Sequence, residues 1–211
     1  MAFTVPITSV LSGATPRQLG YWRRPTARGA APLLVPAAKR EGRYLYSWAD
    51  VVALRSIVYL RQEKSLHKIR KAVATLQDLE SADWEHLAEY KLVRTAQTII
   101  VLTPKGDMLD LERAPGTVFD EVLMEDVLDT FETRSGQLVP ALRRPRPYLT
   151  VHPQILAGYP VIADSRVPFH LVATLADDGM DAAEIVEIYP SIDARGIPDA
   201  QYFARQVAAA A

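Results

Sequence analysis

The chain has 211 residues, is 49% hydrophobic and carries a formal net charge of −1, enough apolar content for two or three small domains with real cores. It has no cysteine, which excludes disulfides, thiolate zinc sites and thiol catalysis and is compatible with a reducing compartment. The near-neutral total conceals a split: residues 1–77 hold 13 Lys and Arg against Glu41, Asp50 and Glu63, whereas residues 78–211 hold 11 bases and 22 acids. Asymmetry of this kind points to a separate cationic module with a polyanion as its partner.

The first fourteen residues lack a basic leader and are interrupted by Pro6, so no signal peptide is expected. No apolar run nears the roughly 20 residues of a membrane span, and Arg55 interrupts the best one, Val51 to Leu60. Residues 3–24 read as two helices around a tight turn. Val5, Val10 and Leu11 are the buried candidates of the first. Gly13 supplies the turn, Thr15 is an N-cap and Pro16 occupies the first helical position. Leu19 anchors the second helix, leaving Thr15, Arg17, Gln18, Tyr21, Trp22, Arg23 and Arg24 for a surface that meets DNA.

Leu33–Pro36 and Arg43–Tyr46 read as short strands around a loop, 37–42, carrying Lys39 and Arg40, with Arg43 just beyond it. Ser47 and Asp50 make a capping box for the next helix, to about Leu60, and a further helix is expected over Leu66–Leu76. The middle segment, 78–139, holds 14 acids and five bases. It reads as a hairpin, Ala96–Thr103 with Met108–Leu111, followed by a helix from Thr117 to about Phe131. Leu138 to Tyr148, with Pro140, Pro145 and Pro147 among Arg143, Arg144 and Arg146, reads as an extended linker. Beyond it come a strand, Tyr148–Val151, and three helices: one from Pro168, one from Asp181 to Tyr189, and one over about Pro198–Ala209. The expected fold is α+β and mainly α, in three parts: 1–77, 78–139 and 140–211.

Two resemblances extend this reading. Ser12–Trp22, the hairpin after it and Tyr46–Leu54 resemble the MerR-type DNA-binding domain over residues 3–77. That resemblance implies a winged helix-turn-helix, with Arg17, Tyr21, Lys39, Arg40 and Arg43 on phosphates and Gln18 reading a base. No heptad-patterned coil follows Gln77, so dimerisation would use another surface. The run Gly158-Tyr-Pro-Val-Ile-Ala-Asp-Ser-Arg-Val-Pro168, with a later helix ending in Tyr189-Pro190, resembles a short bacterial domain long described as of unknown function and found in antitoxins. Behind a MerR-like head, the whole is similar to a VapB-type antitoxin. The resemblance implies a PIN-like ribonuclease toxin as partner, palindromic operator DNA bound by a homodimer, autorepression, and a bacterial, cytoplasmic, nucleoid-associated location. Arg143, Arg144, Arg146 and Arg166 are then candidates for entering the toxin's acidic pocket.

No catalytic site or cofactor is expected. The four histidines, His67, His86, His152 and His170, lack metal-ligand spacing, and there is no phosphate loop or nucleophile elbow. A ligand-responsive MerR-like regulator without a toxin, and a scaffold whose basic head binds an acidic protein, are the competing readings.

Overall fold

The structure is a computed structural model that describes residues 3–26, 29, 31–62, 64–70, 91–94, 99–102, 108–110 and 124–211. It is mainly helical, with small antiparallel sheets. Helix α1, Val5–Ser12, carries Pro6 in its first turn and stops at Gly13. Gly13 adopts φ 75°, and a Cβ built there would fall against Val139 Cγ2, so the turn needs glycine both for its backbone and for the close approach of residue 139. Helix α2, Pro16–Trp22, starts with a reciprocal cap. The Gln18 amide donates to Thr15 Oγ1 at 3.2 Å, and the Thr15 amide donates to Gln18 Oε1 at 2.8 Å.

The strand pairing that follows differs from the sequence expectation. Strand β1 is Ala38–Arg40 and β2 is Arg43–Leu45, joined by the two-residue turn Glu41-Gly42. Leu33 and Leu34 are not in a strand: they are buried, and both amides turn towards the Trp22 carbonyl, at 2.7 and 3.4 Å. Their hydrophobicity serves the core beside α2, and the loop expected at 37–42 is largely the first strand. Phe3 and Tyr46 exchange both backbone hydrogen bonds, which ties the start of the chain to the end of β2.

Helix α3, Trp48–Leu60, has the expected Ser47–Asp50 box. Asp50 is buried, and its Oδ2 also accepts from the Ala37 amide at 3.1 Å, so one carboxylate holds both the helix start and the approach to β1. Residues 66–70 are helical; the rest of the helix expected to Leu76 lies outside the described residues. Strands β3, Lys91–Arg94, β4, Ile99–Leu102, and β5, Met108–Asp110, form an antiparallel sheet in the order β3-β4-β5. The expected hairpin is its β4–β5 pair, and β3 is an addition. The turn expected at 104–107 and the capping box at Thr117 lie outside the described residues. The helix expected to reach Phe131 ends sooner: α4 is Met124–Leu128, and Phe131–Glu132 is strand β6, paired with β7, Leu138–Val139.

The proline-rich stretch is not a free linker. Val139, Leu142 and Pro145 are buried, and the Leu142 amide donates to the Leu128 carbonyl at 2.7 Å. Strands β8, Leu149–Thr150, and β9, Val161–Ile162, pair ahead of helices α5, Phe169–Asp177, α6, Ala182–Ile188, and α7, Gly196–Ala209. The α6 start is capped by Asp181 and Glu184, as its sequence spacing requires. Helix α7 starts two residues before Pro198, which sits in the first turn where a missing N–H costs nothing. One hydrophobic cluster of described residues runs from Phe3 through Val127 and Val139 to Phe203.

The interaction that joins these parts is made by Arg55, on α3 and fully buried. Its Nε donates to the Val127 carbonyl at 2.7 Å. Nη1 donates to Leu11 at 2.5 Å and Pro140 at 2.8 Å, and Nη2 to Asp129 at 2.7 Å and Leu128 at 3.4 Å. All five donors of the guanidinium fork meet carbonyls. Those of Leu11, Val127 and Leu128 lie in the last turns of α1 and α4, where orphan acceptors and the negative dipole end favour a cation. Burial pulls the Arg55 pKa down to about 9, and the nearby Asp129 carboxylate opposes the shift.

Arg55→Met should therefore lower stability by about 3 kcal/mol or more, because the carbonyls gathered around the guanidinium lose its five donors. Arg55→Lys, with three donors for five acceptors, should fall in between. Urea midpoints at unchanged m-value measure both; a loss under about 1 kcal/mol for Met contradicts the assignment. A second test uses Gly158, at φ 86°, where an added Cβ would lie 2.9 Å from Trp48 Cε3. Gly42 has φ 78° but open space around it. Gly42→Ala should cost about 1–2 kcal/mol, the left-handed penalty alone. Gly158→Ala should cost about 1–3 kcal/mol more, for overpacking. Equal losses would mean that the tail does not press on Trp48.

Candidate nucleic-acid interface

The β1–β2 hairpin places its charges by register. Lys39 faces Tyr44 and Arg40 directly faces Arg43 across the turn. Glu41 and Gly42 both have positive φ, 49° and 78°, the requirement of a two-residue turn whose twist matches its strands. Two guanidinium groups opposite each other cost roughly 0.2–1 kcal/mol in the isolated protein. A polyanion laid across the tip removes that cost.

Behind the tip, Tyr44 serves as a platform. The Arg23 guanidinium lies 3.9 Å from its ring centroid and Lys39 Nζ lies 5.0 Å from it. Arg23 is half-buried, so its main task is to lock the hairpin against the end of α2. Arg17, Arg24, Lys39, Arg40 and Arg43 are exposed. Tyr21 is 54% exposed, with the Arg70 guanidinium 5.7 Å over its ring. The described part of residues 3–70 contains two acids: Asp50 is buried in its capping role, and Glu41 sits in the hairpin turn. The outer surface of α2 and the hairpin is therefore almost purely cationic.

Two residues expected at this surface have other work. Trp22 is 1% exposed, packed in the core, and cannot reach a partner; its place next to Arg23 and Arg24 in the sequence gave no sign of which way it turns. Thr15 is exposed, but its hydroxyl is engaged in the α2 cap. Gln18 is half-buried and its Oε1 accepts from the Thr15 amide, which leaves Nε2 to donate and a second lone pair on Oε1. A glutamine in that rotamer can donate Nε2 to a base acceptor such as guanine O6 or N7.

The four tail arginines separate in the same way. Arg143, Arg144 and Arg166 are exposed. Arg146 is committed: its Nε and Nη2 both meet Asp199 Oδ1 at 3.0 Å, and its guanidinium lies 4.2 Å from the Tyr202 ring centroid. Asp199, 7% exposed, also accepts from the Tyr148 amide at 2.8 Å, so the pair fastens the proline-rich stretch to α7. Losing Arg146 would strand a buried carboxylate. Arg61 and Arg134, not singled out from the sequence, lie beside α2; their signal is visible only in three dimensions.

Among the described residues no group of three or more His, Asp or Glu could hold a metal ion, and no helix is long and apolar enough to cross a membrane. His170 Nδ1 pairs with the Tyr159 hydroxyl at 3.1 Å, and burial lowers its pKa.

Comparison with known proteins reaches part of the chain. No solved structure matches it. The chain is 33% identical over 94 residues to an uncharacterized protein, y4eO, of Sinorhizobium fredii; the match takes in 44% of this chain and 42% of that protein, so the chain spans less than half of its relative's length. Residues 149–204, from β8 into α7, are similar to a family described as a protein of unknown function (DUF433).

Proposed function

We propose that this protein is a DNA-binding antitoxin: residues 3–77 act as a winged helix-turn-helix on operator DNA, and the rest of the chain holds a PIN-like ribonuclease toxin. The observation that carries the DNA half is the facing pair Arg40 and Arg43 at the tip of a two-residue hairpin next to α2. Such a pair is a liability in the free protein and an asset on a phosphate backbone. In this reading Arg17, Tyr21, Arg24 and Lys39 extend the backbone contact along α2 and the hairpin, and Gln18 reads a base. The toxin half is supported by the resemblance of residues 158–168 to a short domain of unknown function found in antitoxins and by the exposed cations Arg143, Arg144 and Arg166. A guanidinium placed in an acidic metal site would compete with the metal by charge. The operator would be bound as a homodimer in a bacterial cytoplasm.

Anisotropy titrations with a duplex from the gene's own upstream region, between 50 and 200 mM salt, test the DNA half. Replacing Arg40 and Arg43 together by Gln should flatten the log–log salt slope by about two units. The single change Arg40→Gln should at the same time leave folding stability unchanged or raise it by a few tenths of a kcal/mol, since it removes a like-charge contact. A salt slope equal to wild type would reject the hairpin as a backbone contact. For the toxin half, Arg143, Arg144 and Arg166 changed together to Ala should abolish protection of cells that express the neighbouring ribonuclease. Full protection by that triple variant would reject the arginine mechanism.

A further inference from the structure

A cleft of about 240 Å³ lies between α2, the end of α3 and the tip of the β6–β7 hairpin. Among the described residues its polar lining is Thr15, Gln18, Arg61, Thr133, Arg134, Ser135 and Gln137, with no acidic residue. Trp22 also lines it, and the buried indole N–H has no acceptor among the described residues. The hairpin tip is held in shape by its own bonds: the Thr133 and Ser135 hydroxyls lie 3.1 Å apart, and the Gly136 amide donates to the Thr133 carbonyl at 2.9 Å. The nearest acid on the hairpin, Glu132, is exposed and outside the lining. The volume falls below the roughly 300–1,000 Å³ of sites for drug-sized ligands, which favours one small group over a large effector.

We propose that this cleft binds a single phosphate group between Arg61 and Arg134, with the Gln18 amide and the one O–H left over from the Thr133–Ser135 hydrogen bond as further donors. Two guanidinium groups without a carboxylate, joined by neutral donors, form a phosphate-selective set. The group can belong to a duplex backbone, which rests on the DNA reading above and makes β6–β7 a second arm flanking α2. It can equally belong to a free phosphorylated small molecule, which does not rest on that reading. The hairpin comes from the segment that Arg55 fastens to α1, so phosphate binding would clamp the body against the head.

The test compares the wild-type full chain with Arg61→Gln/Arg134→Gln and with Ser135→Asp, which leaves both arginines in place and adds a negative charge at an exposed position. Melting temperature is followed against inorganic phosphate and, separately, adenosine monophosphate, with chloride at matched ionic strength as the control. DNA affinity is followed against salt. A backbone phosphate predicts a salt slope about two units flatter in the double variant, weaker DNA binding in Ser135→Asp and no phosphate-specific melting shift. A free phosphate predicts a melting rise of several degrees in wild type that both variants lose, whether or not the protein binds DNA. Absence of DNA binding by wild type would sink the DNA reading alone. Wild-type and variant proteins with the same salt slope and the same melting response would overturn the cleft assignment.

Discussion

The fold depends on one buried guanidinium. Arg55 stands in a mostly apolar helix, and its five donors gather carbonyls from three separate stretches of chain: the end of α1, the end of α4 and the start of the proline-rich segment. A buried cation without partners would cost several kcal/mol; here each N–H is met, and two helix ends supply the field that keeps the charge in place. The arrangement works in both directions. The carbonyls stabilise the charge, and the charge fixes where the β6–β7 hairpin sits relative to α2. Val139, pressed against the turn at Gly13, completes the same junction from the apolar side.

That junction gives the charge split of the sequence a spatial meaning. The cationic outer face of α2 and β1–β2 is presented by a core to which the acidic remainder also contributes. Part of that charge is held in place. Arg23 and Lys39 are held at Tyr44, and the Arg40–Arg43 pair is forced by register. Rigid placement reduces the ordering entropy that a phosphate contact must overcome. On the tail, the contrast between Arg146, fastened to Asp199, and the exposed Arg143 and Arg144 beside it separates a structural cation from those available to a partner.

What the sequence revealed follows from the range of the interactions. Caps are local. Thr15 with Gln18, Ser47 with Asp50 and Asp181 with Glu184 each lie three residues apart, and each produced the helix start its spacing implied. Gly13 in the turn and the three tail helices were legible for the same reason. Arg55 was visible as an interruption in an apolar run, but its partners are backbone carbonyls 44 to 85 residues away, which leave no side-chain signature. The first hairpin strand was misplaced because Leu33 and Leu34 look like strand residues while serving as core under Trp22. Trp22 itself lies among bases in the sequence and faces inward in the fold. Arg146 looked free because Asp199 is 53 residues distant.

The central claim is that one continuous surface, α2 with the β1–β2 hairpin, receives duplex DNA. Amide chemical-shift mapping of the isotopically labelled full chain, titrated with a short duplex at low salt, reads that surface residue by residue. The account predicts shifts concentrated at Arg17, Tyr21, Arg24 and Lys39 to Arg43, with α5 to α7 silent. Shifts confined to the tail helices, or none at any duplex concentration, would contradict it.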